Sequence, residues 1–173
     1  MKTPKSKFSI LLLLLFFICS CASGPKFDKS KFETLYAAAR AVQTSITAGE
    51  SYQQVNEKEQ QFAAAIGALK DKVQTQKEKE LLDAYSDLLS TYRDGLVLWK
   101  YKLDFAFFDS VLKGRIYVGQ DADPIVIKYR FPTKSHLYEP TGQYWKSISG
   151  DSIQIIWSNV DSQMKAIANI TNY

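Results

Sequence analysis

The stretch Leu96-Val-Leu-Trp-Lys-Tyr-Lys-Leu-Asp-Phe-Ala-Phe-Phe-Asp-Ser-Val-Leu-Lys113 decides the fold, because it scans both as a strand and as a helix. Trp99, Tyr101, Leu103, Phe105 and Phe107 alternate with Lys100, Lys102, Asp104 and Ala106, the period-two pattern of a strand. At 100° per residue the same side chains form two apolar sectors instead. Leu96, Trp99, Leu103 and Phe107 make one, and Leu98, Tyr101, Phe105, Phe108 and Leu112 the other. Lys100 with Asp104, and Asp109 with Lys113, stand four residues apart, where opposite charges support a helix. The helical pattern runs into this stretch from upstream without a break, and that continuity selects the helix. A helix apolar on two sides lies in the middle of a bundle or shows one side to a partner; burial in the core is the simpler expectation.

Upstream, three helix starts are written as capping boxes. Ser30-Lys-Phe-Glu33, Ser51-Tyr-Gln-Gln54 and Thr75-Gln-Lys-Glu78 each pair a hydroxyl with a carboxylate or amide three residues on. From the first, Phe32, Leu35, Tyr36, Ala39, Val42 and Ile46 build one apolar stripe that Gly49 ends. From the second, Tyr52, Val55, Phe62, Ile66, Leu69 and Val73 continue, interrupted by Glu59. From the third, Leu81, Leu82, Tyr85, Leu88, Leu89, Tyr92, Leu96 and Trp99 face inward. No Gly or Pro separates the second helix from the third, so one long kinked rod is the alternative; usual helix lengths favour a hairpin. The charge-rich segment Asp71 to Asp83 reads as a solvated helix turn.

Downstream of Gly114 the grammar changes. Ile116-Tyr-Val118 and Ile125-Val-Ile-Lys-Tyr-Arg-Phe131 are β-branched and aromatic and predict either a small hairpin or an extended loop over the bundle. Asp151-Ser-Ile-Gln154 then opens a last helix carrying Ile153, Ile156, Trp157, Val160, Met164, Ile167 and Ile170. The expected class is all-α: roughly a four-helix bundle with an irregular or small β-hairpin excursion at about 114–150.

The chain begins with Lys2, Lys5 and Lys7, then an apolar run from Ile10 to Ile18 that stops at Ser20 and Cys21. That run is too short to span a bilayer, which needs roughly 20 apolar residues. It has the parts of a secretory signal. Ile18-Cys19-Ser20-Cys21 resembles the lipobox of bacterial lipoproteins, with an aliphatic residue at −3, small residues at −2 and −1, and the lipidated cysteine; Ile18 stands where Leu is commoner, and Cys19 is an unusual small residue. The resemblance covers residues 1–21 only. It implies cleavage after Ser20, a diacylglyceryl thioether and palmitate-labelled lipid on Cys21, and residence in the bacterial cell envelope. Ala22-Ser23 carries no acidic retention signal, which for such proteins implies the outer membrane, facing the periplasm. The expected organisation is a cleaved signal peptide over 1–20, a lipidated cysteine and short tether over 21–29, and a helical domain over 30–173.

Both cysteines and most of the net positive charge belong to that segment. The whole chain holds 22 Lys+Arg against 18 Asp+Glu; removing the three lysines of the signal leaves 19 bases against 18 acids. A nearly neutral mature domain without a basic cluster gives no footprint for nucleic acid. The membrane is the expected partner through lipid on Cys21, with a protein partner beside it.

Catalytic chemistry is not legible. The one histidine, His136, sits between prolines and reads as a solvated loop residue. Without a second His or a mature thiol near it, neither a nucleophile–base pair nor a zinc set can be assembled. Asp121 and Asp123 lack the other positions of a calcium loop and read as turn formers. Gly114 and Gly119 are isolated, so no phosphate loop is present. The expectation is therefore a non-enzymatic module without metal or cofactor that holds a protein partner, with Trp99, Tyr101, Phe105, Phe108, Tyr144 and Trp145 as the candidate surface. The alternative is a site for a small apolar or aromatic ligand between the two-faced helix and residues 116–145, with Tyr101, Tyr117, His136 and Tyr144 supplying polar groups.

Overall fold

The structure, a computed structural model, describes residues 26–106, 113–138 and 141–171. The signal segment, Cys21 and Phe108 lie outside the described residues. Five α-helices and a three-stranded antiparallel sheet follow in the order α1 (Glu33–Thr47), α2 (Tyr52–Leu69), α3 (Gln76–Asp104), β1 (Arg115–Tyr117), α4 (Asp123–Lys128), β2 (Lys134–Tyr138), β3 (Gln143–Ser149) and α5 (Ser152–Thr171). Four of the helices are long and one is short, so the mostly-α fold with a small β excursion is as expected.

The helical hairpin of α1 and α2 closes through local chemistry. Gly49 takes φ +71° just past the end of α1, its amide donates to Ile46 O, and the Glu50 amide donates to Ser45 O. This pair of bonds satisfies the last carbonyls in the manner of a Schellman cap. Ser51 then caps α2 reciprocally with Gln54. Thr75 and Glu78 do the same for α3, so α2 and α3 are separate helices joined by a 3-10 turn over Lys70–Lys72. At the start of the fold the outcome differs from expectation. Asp28, not Ser30, is the cap: its carboxylate accepts from the Ser30 amide at 3.0 Å, a 3-10 turn spans Lys29–Phe32, and α1 begins only at Glu33.

Helix α3 runs to Asp104, with Phe105 at its C-terminal cap and residues 105–106 in a turn. The helical reading of the deciding stretch therefore holds to Asp104 and stops there; residues 107–112 lie outside the described residues, and Lys113 and Gly114 are again a turn. Of the two apolar sectors, Leu96 joins one core and Leu98 another, with Trp99 and Tyr101 packed against them, whereas Leu103 is exposed. Leu81, Tyr85, Leu88, Tyr92 and Leu96 pack with Phe32, Phe62 and Ile167 in the larger one. Leu98 packs with Ile116, Ile125, Ile148 and Ile156 in the smaller one, at the C-terminal end of the helix. Full burial of a side chain of this size contributes about 1.5–3 kcal/mol, so both faces of α3 are held by apolar packing. Trp99 and Trp157 touch both clusters and form the seam between them.

The excursion does contain a small β-hairpin, but not between the two segments expected. Strand order is β1-β3-β2, with Ile116 opposite Ile148 and His136 opposite Trp145. The hairpin is β2–β3, and Ile125–Phe131 belongs mainly to α4. The β-branched composition there is overridden by its ends. Pro124 in the first turn presets a helical φ. At the other end Arg130 adopts φ +53°, and the Phe131 and Arg130 amides donate to Val126 O and Ile127 O. That closes a Schellman motif with Arg in the position where glycine usually signals it.

Candidate functional site

At the C-terminal end of α3 the helix meets the sheet through aromatic rings. Tyr101 and Phe105, one turn apart, stack with centroids 6.2 Å apart and planes at 1°. Phe105 meets Trp145 edge-on at 5.4 Å and Tyr117 at 6.1 Å, and Tyr117 meets Trp145 edge-on at 5.3 Å. These are favourable offset and T-shaped geometries. His136 stands on β2, not in a loop, with its ring edge-on to Tyr117 at 6.2 Å. Beside these rings opens a groove of about 640 Å³ lined by Tyr101, Phe105, Tyr117, Gln143, Tyr144 and Trp145. Tyr144 is 76% exposed at its mouth and Tyr117 only 7% exposed within.

Polar groups fix the rim. Tyr101 Oη donates to Asp121, and this contact, after burial as the larger cause, raises the phenol above its ordinary value. Gly119 makes room for it: a Cβ there would lie 2.7 Å from Tyr101 Oη and 2.8 Å from Asp121 Oδ1. Lys146 pairs with Asp123 across the groove's other side. Both acids thus do more than form turns: each anchors a residue that lines the groove.

Of the candidate surface, the structure brings together Tyr101, Phe105, Tyr144 and Trp145. Trp99 is elsewhere. Its ring lies edge-on to Tyr52 at 5.8 Å, in the seam between the cores. The reason is angular: Trp99 and Tyr101 are two residues, about 200°, apart on one helix. Asp121, Asp123 and Lys146 were not among the expected site residues. The isolated Gly119 beside Asp121 was the one signal for them in the chain.

A second constellation lies at the opposite pole. Glu78, 0% exposed, accepts from the amides of Gln74 at 2.7 Å, Thr75 at 3.0 Å and Asp28 at 3.2 Å, and from Lys31 Nζ at 3.0 Å. Burial disfavours its ionised form, but these donors together outweigh that cost and hold the carboxyl at about 2. The segment around Glu78 is therefore not simply a solvated turn. Its carboxylate clips the strap at residues 28–31 to the base of α3.

The wall between α2 and α3 carries a third feature. Glu59, which interrupts the α2 stripe, is 5% exposed and ion-paired at 2.7 Å with Arg93 Nε, whose side chain is half in solvent.

Among the described residues there is no group of three or more His, Cys, Asp or Glu placed to hold a metal ion, and no helix long and apolar enough to cross a membrane. Comparison with known proteins returned no matching family model, no matching curated protein and no matching solved structure.

Proposed function

We propose that this chain is a lipid-anchored, periplasm-facing, non-enzymatic interaction module of the bacterial cell envelope, tethered through Cys21 in the outer membrane and binding a protein partner in the groove at the end of α3. The observation that carries this reading is polarity along one helix. The chain enters the described fold beside Glu78, at the base of α3, whereas Tyr101, Phe105, Trp145 and the exposed Tyr144 stand at its far end. From Glu78 to Asp104 the helix rises about 40 Å. A tether at one pole and an aromatic groove at the other suit a module that presents its binding end away from the lipid surface. Large amphipathic rings are the side chains that dominate such contacts.

Two experiments test the two halves. Replacing Cys21 with Ser should abolish palmitate labelling and move the protein out of the membrane fraction; retained label overturns the anchor. A photo-crosslinking residue in place of Tyr144, illuminated in cells, should give one discrete adduct that disappears in a Trp145→Ala background. Absence of any adduct overturns the partner reading. The groove's volume lies within the ~300–1,000 Å³ of small-molecule sites, which supports the alternative of a small apolar or aromatic ligand; that reading gains if Tyr144 yields no protein adduct and an extracted organic compound restores a thermal shift.

A further inference from the structure

A different cleft, between the end of α1, the end of α3 and the start of α5, has the make-up of a ligand site that the groove does not account for. It encloses about 500 Å³. Two indoles line it, Trp99 and Trp157. Both are fixed before any ligand arrives: Trp99 lies edge-on against Tyr52, and the six-membered end of Trp157 is seated against Gly95, where a Cβ would come within 2.1 Å. Around the indoles stand planar hydrogen-bonding groups, the carboxylates of Glu50 and Asp161 and the amides of Gln43 and Gln154. These too are oriented. Gln43 Nε2 donates to Asp161 Oδ1 at 2.7 Å across the cleft from α1 to α5. Glu50 is held by Lys58 at 2.6 Å and by the Ser45 hydroxyl, which keep it ionised by lowering its pKa.

The mixture selects a chemistry. A purely apolar ligand would use the indoles alone and leave the Gln43–Asp161 pair, Glu50 and the exposed Gln154 amide without a part in recognition. An anion would meet Glu50 and Asp161, and a simple organic cation would find Glu50 already paired with Lys58, Asp161 already accepting from Gln43, and Lys102 beside them. A sugar ring meets none of these objections. Its C–H face lies on an indole, while its hydroxyls both donate to carboxylates and accept from amide and ammonium groups. We propose that the Trp99–Trp157 cleft is a carbohydrate site that takes a short oligosaccharide. Rigid rings and pre-paired polar groups lower the ordering cost of such binding.

The test uses the full chain, kept in a detergent whose head group carries no sugar, titrated with maltotriose, cellotriose and chitotriose by calorimetry and tryptophan fluorescence. At least one trisaccharide should bind saturably, with a dissociation constant of about 1 mM. Gln154→Leu, at the exposed rim, and Trp99→Phe should each weaken it by about tenfold or more, whereas Trp145→Phe, in the other groove, should leave it unchanged. Melting curves run on each variant separate lost binding from lost folding; Gln154→Leu touches only the rim. The proposal is overturned if none of the three sugars saturates the folded protein, if binding persists undiminished in folded Gln154→Leu and Trp99→Phe, or if tetramethylammonium or indole binds this cleft and the sugars do not.

Discussion

The six-membered ring of Trp157 occupies the space in which a side chain at residue 95 would stand: a Cβ on Gly95 would lie 2.1 Å from Cη2 and 2.3 Å from Cζ3 of that ring. In an isolated helix, alanine in place of glycine stabilises by about 1 kcal/mol. Here the clash outweighs that gain. Gly95→Ala should cost about 1–2 kcal/mol net, since overpacking a core costs about 1–3 kcal/mol, and should lower Tm by about 3–6 °C. Thermal melts of Gly95→Ala alone and with Trp157→Phe make the check, and the smaller ring should recover part of the loss. A rise in Tm for the single variant would contradict the packing described.

Glu78 gives a pH dependence whose direction follows from its carboxyl being held at about 2, below the ordinary 4.5. A depressed carboxyl stabilises the fold fully above the unfolded value and loses that contribution as pH falls toward the folded one. Glu78→Gln should therefore destabilise on the order of 2 kcal/mol at pH 7, the scale for hydrogen bonds to a charged group. The difference from the parent should shrink between about pH 4.5 and pH 2. Urea midpoints at pH 7, 5 and 3 measure it; a gap that stays constant with pH speaks against the ionised clip.

Glu59 and Arg93 offer the opposite trade. An ion pair whose carboxylate is buried is weakly stabilising compared with apolar packing of the same volume. Glu59→Met, which completes the apolar stripe of α2 between Val55 and Phe62, should be neutral or stabilising by up to about 2 kcal/mol. Arg93→Ala, which leaves the carboxylate without that partner, should destabilise by about 1–3 kcal/mol. Chemical denaturation of the two variants side by side would reverse in order if the pair were the main support of that wall.

At the end of α4, Arg130 holds φ +53° in an exposed position. Left-handed backbone costs a residue with a side chain roughly 1–2 kcal/mol, part of which glycine returns through greater freedom in the unfolded chain. Arg130→Gly should raise stability by about 0.5–1 kcal/mol, or about 1–3 °C in Tm. Arg130→Val should lower it, because a β-branched side chain fits that backbone worst.

What could be read from the chain divides along how far apart the interacting residues stand. The starts at Ser51 and Thr75 were legible because both partners of each box lie within four residues. The burial of Glu78 was not, since Asp28 and Lys31 reach it from 50 and 47 residues away. The strand reading of Ile125–Phe131 failed because the cap that closes α4 uses Arg130, a residue that carries no turn signal in sequence. Aromatic density did point to Tyr101, Phe105, Tyr144 and Trp145, which do gather. It also pointed to Trp99, although the helical periodicity already set Trp99 in the sector opposite Tyr101 and Phe105, which is where its contact with Tyr52 puts it. The cleft beside Trp99 draws Gln43, Glu50, Gln154 and Asp161 from opposite ends of the chain, and no local pattern announces such a set.

The two cores that share α3 also divide how the molecule comes apart. The larger is built by α1, α2, the lower part of α3 and the later turns of α5; the smaller joins the upper part of α3 and the first turns of α5 to the sheet and α4. Hydrogen exchange should therefore resolve two cooperative units: amides of β1 and β3 exchanging through a partial opening with shallow denaturant dependence, and those around Tyr85 and Tyr92 only through complete unfolding. In such an opening the sheet and the rings it carries would loosen first while the bundle stands, with Trp99 and Trp157 at the boundary between the two units.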